Sequence, residues 1–295
     1  MATFADWLDG ARPRTLPAAV APVLVGTGAA IGTVPGYGPG HAVRAVLFAG
    51  LALALQVGVN YANDYSDGVR GTDDVRTGPP RLTGGGAASP AAVKAAAFAA
   101  FGVAGALGVT LVALIGQWWL LALGALAVAA AWFYTGGRRP YGYLGLGEVS
   151  VFLFFGLMAT VGTAYTQSPE TARTWPVWVG AAGIGLVASA LLMVNNIRDI
   201  PTDRQVGKLT LAVRLGDRRA RWSYVALVVA PLALGLVCAL ERPWALLVLP
   251  LGWWVARLAR PVLAGASGRD LIAVLAGTGR LELVYGLLLG VGLAL

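Results

Sequence analysis

Apolar runs of about 20 residues recur along the whole chain, each long enough to cross a hydrocarbon core of roughly 30 Å. Polar breaks rich in Gly, Pro, Arg and Asp separate them. This alternation predicts nine spans: residues 16–33, 42–63, 90–115, 118–134, 148–166, 176–196, 222–240, 244–258, and a last one that ends at the C-terminus. Only Gly116 and Gln117 stand between the third and fourth, which makes them an antiparallel pair. Residues 64–89 and 197–221 form the long polar loops. Residues 271–279 fit either a short half-embedded helix or the start of the last span. The predicted fold class is an all-α membrane protein, one domain over residues 1–295.

Composition agrees with the pattern. Of 295 residues, 57% are hydrophobic and only 12% charged, whereas a soluble domain carries roughly 25% charged residues. The net charge of +8 comes from basic residues in the breaks, with no basic helix face of the kind that reads nucleic acid. It reports orientation instead. With a cytoplasmic N-terminus, all the Lys and Arg except Arg44, Arg173 and Arg242 fall on the cytoplasmic side, as the positive-inside rule requires. Asp6, Asp9, Arg12 and Arg14 precede a first run too long for a signal peptide. Cys238 and His41 are each the sole residue of their type, so neither supports a disulfide or a soft-metal site.

Two polar patches change the picture. The stretch from Asn60 to Asp74 holds four of the fourteen acidic residues, Asp64, Asp67, Asp73 and Asp74, and follows Asn60 and Asn63. A second stretch, Asn195-Asn196-Ile-Arg198-Asp199-Ile-Pro-Thr-Asp203, stands at the end of the sixth span. Acids and amides at the edge of a membrane are costly and mark function. On a continuing helix Asn60, Asn63/Asp64 and Asp67 share a face, as do Asn195/Asn196, Asp199 and Asp203. The common placement after even-numbered spans suggests two structural repeats. A solvated loop is the plain alternative for the first patch, and Arg198–Asp199 or Asp203–Arg204 ion pairs for the second. Facing carboxylate and amide oxygens suit Mg²⁺, which typically bridges one or two carboxylates to substrate phosphates. Nearby Arg and Lys residues would take the remaining phosphate oxygens.

Asn63-Asp64-x-x-Asp67 and Asp199-x-x-x-Asp203 resemble the two aspartate-rich motifs of the UbiA superfamily of intramembrane prenyltransferases. Arg12-Pro-Arg-Thr-Leu-Pro17, Gly78-Pro-Pro-Arg-Leu-Thr83, Tyr134-Thr-Gly-Gly137 through Glu148, and Gly207 through Gly216 narrow the resemblance to the branch whose acceptor is 1,4-dihydroxy-2-naphthoate. The resemblance implies nine helices around a central cavity open sideways to the lipid bilayer, and Mg²⁺ holding the diphosphate of a polyprenyl donor. It assigns metal contacts to Asn63, Asp67, Asp199 and Asp203, with Asp64 beside them. The superfamily's acid four residues after Asp67 is replaced here by Gly71, and Asp73 stands two residues further on. Lys208 and Arg70 are the candidate diphosphate contacts. Arg138, Arg139 and Arg198 are candidates for diphosphate or acceptor carboxylate, while loop cations that only follow the positive-inside rule are the plain alternative for all five. Asn60, Asn195, Asn196 and Tyr134 complete the expected substrate site, and Tyr61, Tyr65 and Tyr134 are candidates to stabilise a carbocation.

The implied reaction transfers the polyprenyl group with loss of diphosphate and CO₂ to give a demethylmenaquinol, at the cytoplasmic face of the cell membrane. Other aromatic acceptors (4-hydroxybenzoate, homogentisate or haem) keep the same mechanism. An ion-coupled transporter would need acids at the bilayer midplane and interrupted helices there. Asp9-Gly-Ala-Arg12 matches only the opening of a CDP-alcohol phosphotransferase motif. Donor length, metal count and oligomeric state are not encoded in any visible pattern.

Overall fold

The computed structural model describes residues 2–72 and 81–295, and all its regular elements are helical. Asp73, Asp74, Arg76 and the Gly78–Pro80 part of the family stretch lie outside the described residues. A short amphipathic helix α1 (Phe4–Ala11) leads through a tight turn, Pro13–Thr15, into α2 (Pro17–Thr33). Next come α3 (Pro39–Arg70), α4 (Pro90–Ile115) and α5 (Leu120–Thr135). One span, Gly147–Gln167, is built from α6 (Gly147–Val151), a π-helical stretch Phe152–Met158, and α7 (Ala159–Gln167). Then follow α8 (Trp175–Gln205), the short α9 (Leu211–Leu215) and α10 (Asp217–Cys238). A 3₁₀ stretch Pro243–Leu251 runs into α11 (Gly252–Leu263), and α12 (Leu271–Ala294) closes the chain.

Among the described residues seven helices are long and apolar enough to cross a membrane, or eight if the pair Phe4–Thr15 and Pro17–Thr33, bent by 46°, is one span. The apolar helix Leu120–Phe133 is shorter. Residues 271–279 belong to α12, which resolves the choice left open by the sequence.

Two predicted boundaries are corrected. The second span does not end at Asn63, nor the sixth at Asn196; α3 runs on to Arg70 and α8 to Gln205. Polar residues at those positions mimic a loop, yet they face a protein interior where continued helix satisfies the backbone. Gly71, in the left-handed region at φ 74°, stops α3. In α8 even Pro201 fails to break the helix, and Thr202 Oγ1 donates to the Asp199 carbonyl in the same turn.

Packing centres on two apolar bodies, joined by a small third cluster of Ala19, Val23 and Ala52 between α2 and α3. A small apolar cluster, Ala62, Ala97, Phe101 and Ala131, holds α3, α4 and α5 together. A larger one, with Val25, Ile184, Met193, Tyr224, Leu281 and Leu289, ties α2 to the helices from α7 onward. Small residues set the closest approach: a Cβ on Gly28 would collide with the Gly290 backbone, so α2 and α12 meet backbone to backbone. In lipid, such close packing of small residues is a main source of helix association.

Candidate functional site

A cavity of about 300 Å³ lies where the two bodies meet. Its polar end is formed by the last turns of α3 and α8 with the α1–α2 turn; its body is apolar, with Phe48, Leu55, Phe154, Phe155, Met158 and Leu191. On α3 the helical spacing turns Asn60, Asn63 and Asp67 toward it, and on α8 Asn195, Asn196 and Asp199. The two expected faces are thus brought together.

Each polar group is oriented by a neighbour. Asn60 Nδ2 donates to the Ala11 carbonyl at 2.8 Å and to Thr15 Oγ1 at 3.1 Å, pinning the α1–α2 turn. Thr135 donates to Asn63 Oδ1 at 2.8 Å, and an amide oxygen keeps a second lone pair for another partner. Asn196 Nδ2 donates to Glu148 Oε1 at 2.9 Å. Asp67 is 4% exposed and accepts from the Tyr143 hydroxyl at 2.7 Å. Tyr143 lies in the short turn Tyr141–Leu144. Burial first, and the Asp67 charge second, push its phenol well above the usual tyrosine range.

Several of the expected site residues stand outside the cavity lining. Asp64 does not line the cavity. Its two oxygens accept the backbone N–H groups of Leu82 and Thr83 at 2.9 and 2.8 Å, because one residue beyond Asn63 on a helix is about 100° round the axis. Arg198 is turned away too: it forks onto Asp199 (Nε–Oδ1 2.7 Å, Nη2–Oδ2 2.6 Å) and donates to Asn195 Oδ1. Arg138 and Arg139 are exposed and line no part of the cavity. Arg70 is exposed, donates to the Gly137 carbonyl, and lies over the Tyr143 ring. Asp203 is buried behind the wall, with Lys208 Nζ 4.0 Å from its Oδ1; of the two, only Lys208 reaches the cavity. Of the three candidate tyrosines Tyr134 lines the cavity, whereas Tyr61 bonds the Trp7 carbonyl and Tyr65 stacks on Trp132.

Arg12, Arg14, Arg81 and Gln56 are among the cavity residues to which the sequence assigns no role. Arg12 is the single non-glycine with positive φ (54°) among the described residues. That left-handed turn, immediately before Pro13, swings the chain from α1 into α2 and brings Arg12 and Arg14 to the polar end. Such strain persists where surrounding structure over-determines it, and it clusters at functional sites. The signal was a pair of arginines flanking a proline just before the first apolar run.

The polar end therefore sets Asp67 and Asp199 opposite each other, with Arg12, Arg14, Arg81 and Lys208 around them. Its donors are hard oxygens. Among the described residues no three His, Cys, Asp or Glu side chains converge. Hard oxygen donors suit Mg²⁺, which keeps its waters and shares one or two carboxylates with substrate phosphates.

Residues 19–291 match the family model described as UbiA prenyltransferase family. The chain is 47% identical to the 1,4-dihydroxy-2-naphthoate octaprenyltransferase of Mycobacterium tuberculosis, covering 100% of this chain and 98% of that protein. It is 37% identical to the Escherichia coli protein of the same description, covering 87% and 82%. Among solved structures, the apo UbiA homolog from Aeropyrum pernix K1 superposes with a TM-score of 0.69 at 19% identity, over 93% of this chain and 96% of that one. The Archaeoglobus fulgidus UbiA homolog bound to DMAPP and Mg²⁺ gives 0.64 at 18% identity, over 96% and 98%.

Proposed function

Since this chain belongs to the UbiA prenyltransferase family, we propose that the cavity between α3 and α8 is its active site. The reaction is transfer of a polyprenyl group from polyprenyl diphosphate to 1,4-dihydroxy-2-naphthoate, on the menaquinone pathway. The observation that carries the site is the pairing of Asn63 and Asp67 with Asn196 and Asp199 at one end of an apolar cavity.

Magnesium, when bound, neutralises the diphosphate and stabilises the charge that develops as it leaves. Asn63, Asp67 and Asp199 are the side chains that would hold it, with Asp203 behind Lys208. Lys208, Arg12, Arg14 and Arg81 receive diphosphate oxygens as negative charge grows on them, and being already in place they cost little reorganisation. The apolar body excludes water from the allylic carbon while its C–O bond breaks. The electron-rich naphthoate ring supplies the electron pair for the new C–C bond, and its carboxylate leaves as CO₂, giving a demethylmenaquinol. The Tyr134 ring lines the cavity wall, where its π system would stabilise a cationic carbon.

Nine spans follow if the bent α1–α2 pair counts as one and the shorter α5 as another. A cytoplasmic N-terminus and polar end are supported by the one-sided distribution of Lys and Arg. The deciding experiment incubates the purified protein with polyprenyl diphosphate and dihydroxynaphthoate, with and without Mg²⁺. Lipid-soluble prenylated product and released diphosphate, both dependent on the metal, are expected. Absence of both would sink the assignment.

A further inference from the structure

Helix α3 carries one more polar side chain on the face that bears Asn60, Asn63 and Asp67. Gln56 stands one turn before Asn60 and about 10 Å along the axis from Asn63, toward the apolar body of the cavity, which it lines. It is 7% exposed, and its Oε1 accepts from no donor among the described residues. Buried polar atoms are matched almost everywhere in native proteins. A buried acceptor on a cavity wall therefore calls for a donor from the ligand.

The surrounding hydrogen bonds fix which end of the amide faces the cavity. Gln56 Nε2 donates to Thr15 Oγ1 at 3.1 Å, as does Asn60 Nδ2. Thr15 in turn donates its hydroxyl proton to the Arg12 carbonyl at 2.9 Å. A hydroxyl has one proton to give and two lone pairs, and all three are used here. Thr15 can only accept from Gln56, so the amide nitrogen must face it and Oε1 is left as the free end. The same chain of bonds ties Gln56 to the turn that carries Arg12 and Arg14.

The space beside this oxygen suits a flat molecule. Ala52, one turn earlier on α3, and Ala18 and Ala19 on α2 also line the cavity. Their methyl groups leave room next to the amide for a bicyclic ring. 1,4-Dihydroxy-2-naphthoate offers two hydroxyl donors on such a ring. Its 1-hydroxyl lies beside the carboxylate and is engaged by it in an internal hydrogen bond. The 4-hydroxyl stands across the ring and is free. With the carboxylate drawn toward the cations of the polar end, the 4-hydroxyl points the other way, into the body of the cavity.

From this we infer that Gln56 recognises the aromatic acceptor by accepting a hydrogen bond from its 4-hydroxyl. An amide takes no proton, so Gln56 orients the ring and selects it, and is not a base. This inference rests on the prenyl-transfer reading and adds to it a residue that sets acceptor specificity.

The test uses Gln56→Met, which keeps the length of the side chain and removes the carbonyl. The KM for dihydroxynaphthoate should rise about tenfold, with the KM for polyprenyl diphosphate within about twofold of the parent. Two competitive inhibitors against the acceptor separate direct contact from a loosened turn. 4-Hydroxy-2-naphthoate should lose about tenfold in Ki in the variant, and 1-hydroxy-2-naphthoate, which lacks the contacted hydroxyl, less than about twofold. Equal losses with the two inhibitors, an unchanged acceptor KM, or a matching rise in both substrates' KM would overturn the proposal; the last would show that Gln56 only pins the Thr15 turn. The parent protein gives a check free of mutation. There 1-hydroxy-2-naphthoate should inhibit about tenfold more weakly than 4-hydroxy-2-naphthoate, and equal or reversed potency would again overturn it. A parent protein that releases no diphosphate with dihydroxynaphthoate present would instead refute the prenyl-transfer reading.

Discussion

The Tyr143 hydroxyl donates to Asp67 Oδ1 at 2.7 Å, and two cations lie over its ring, Arg70 at 5.6 Å and Lys208 Nζ at 5.1 Å from the centre. The backbone adds a further link, since the Tyr143 carbonyl accepts the Leu209 N–H at 3.1 Å. One side chain thus couples the end of α3 to the segment after α8, and positions both an acid and a lysine of the polar end.

Tyr143→Phe keeps the ring and removes the hydrogen bond. Turnover should fall by about ten- to a hundredfold, with a raised Mg²⁺ requirement, since a hydrogen bond to a charged group contributes about 1.5–3 kcal/mol. Because burial and the Asp67 charge raise the phenol's pKa, it stays protonated as a donor over about pH 6 to 9. Its stabilising effect is present below the ordinary tyrosine pKa and is lost only as pH rises through the raised one. The pH–rate profiles of parent and variant should therefore run parallel across that window.

Asp67→Ala and Asp199→Ala should each reduce turnover by about a hundred- to a thousandfold or more, the scale of losing one preorganised charge-stabilising group. Thermal unfolding in detergent distinguishes the two. Asp199→Ala also strands the buried Arg198 guanidinium, which costs about 3–5 kcal/mol, so it should be the less stable variant.

Asp64→Ala separates anchoring from metal binding. It leaves the Leu82 and Thr83 N–H groups without their acceptor, at about 1–3 kcal/mol each where buried. A lower unfolding temperature with an unchanged Mg²⁺ dependence of the remaining activity is expected. A shifted Mg²⁺ dependence would return Asp64 to the metal site.

Much of this arrangement is legible in the chain. Asn60, Asn63 and Asp67 repeat at one helical face, as do Asn195, Asn196 and Asp199, and periodicity alone points each set inward. What periodicity cannot show is the partner. Asp64 belongs to the same acidic run, yet a loop eighteen residues later claims it. Arg138 and Arg139 are an exposed pair away from the cavity, which takes its cations from Lys208 and from Arg12, Arg14 and Arg81, far away in sequence. Tyr143 escapes notice because its importance is wholly tertiary. The ends of α3 and α8 are hidden for the same reason, since polar side chains resemble a solvated loop until a facing helix is known.

Glu282 lies in α12 with no exposed surface, and neither carboxylate oxygen has a hydrogen-bond partner. It does not line the cavity. An unpaired buried polar group costs about 1–3 kcal/mol, so Glu282→Leu should raise the unfolding temperature with prenyl transfer unchanged. A destabilised Glu282→Leu would show that the carboxyl has a partner in the membrane.

Helix α3 has 32 residues and is therefore about 48 Å long, well beyond the roughly 30 Å of hydrocarbon. Its surplus, matched by that of α8, is enough to carry the ionic end of the cavity to the water boundary with the apolar end submerged. On the proposed reaction the two products would then part by solubility, diphosphate toward water and the prenylated quinol toward lipid.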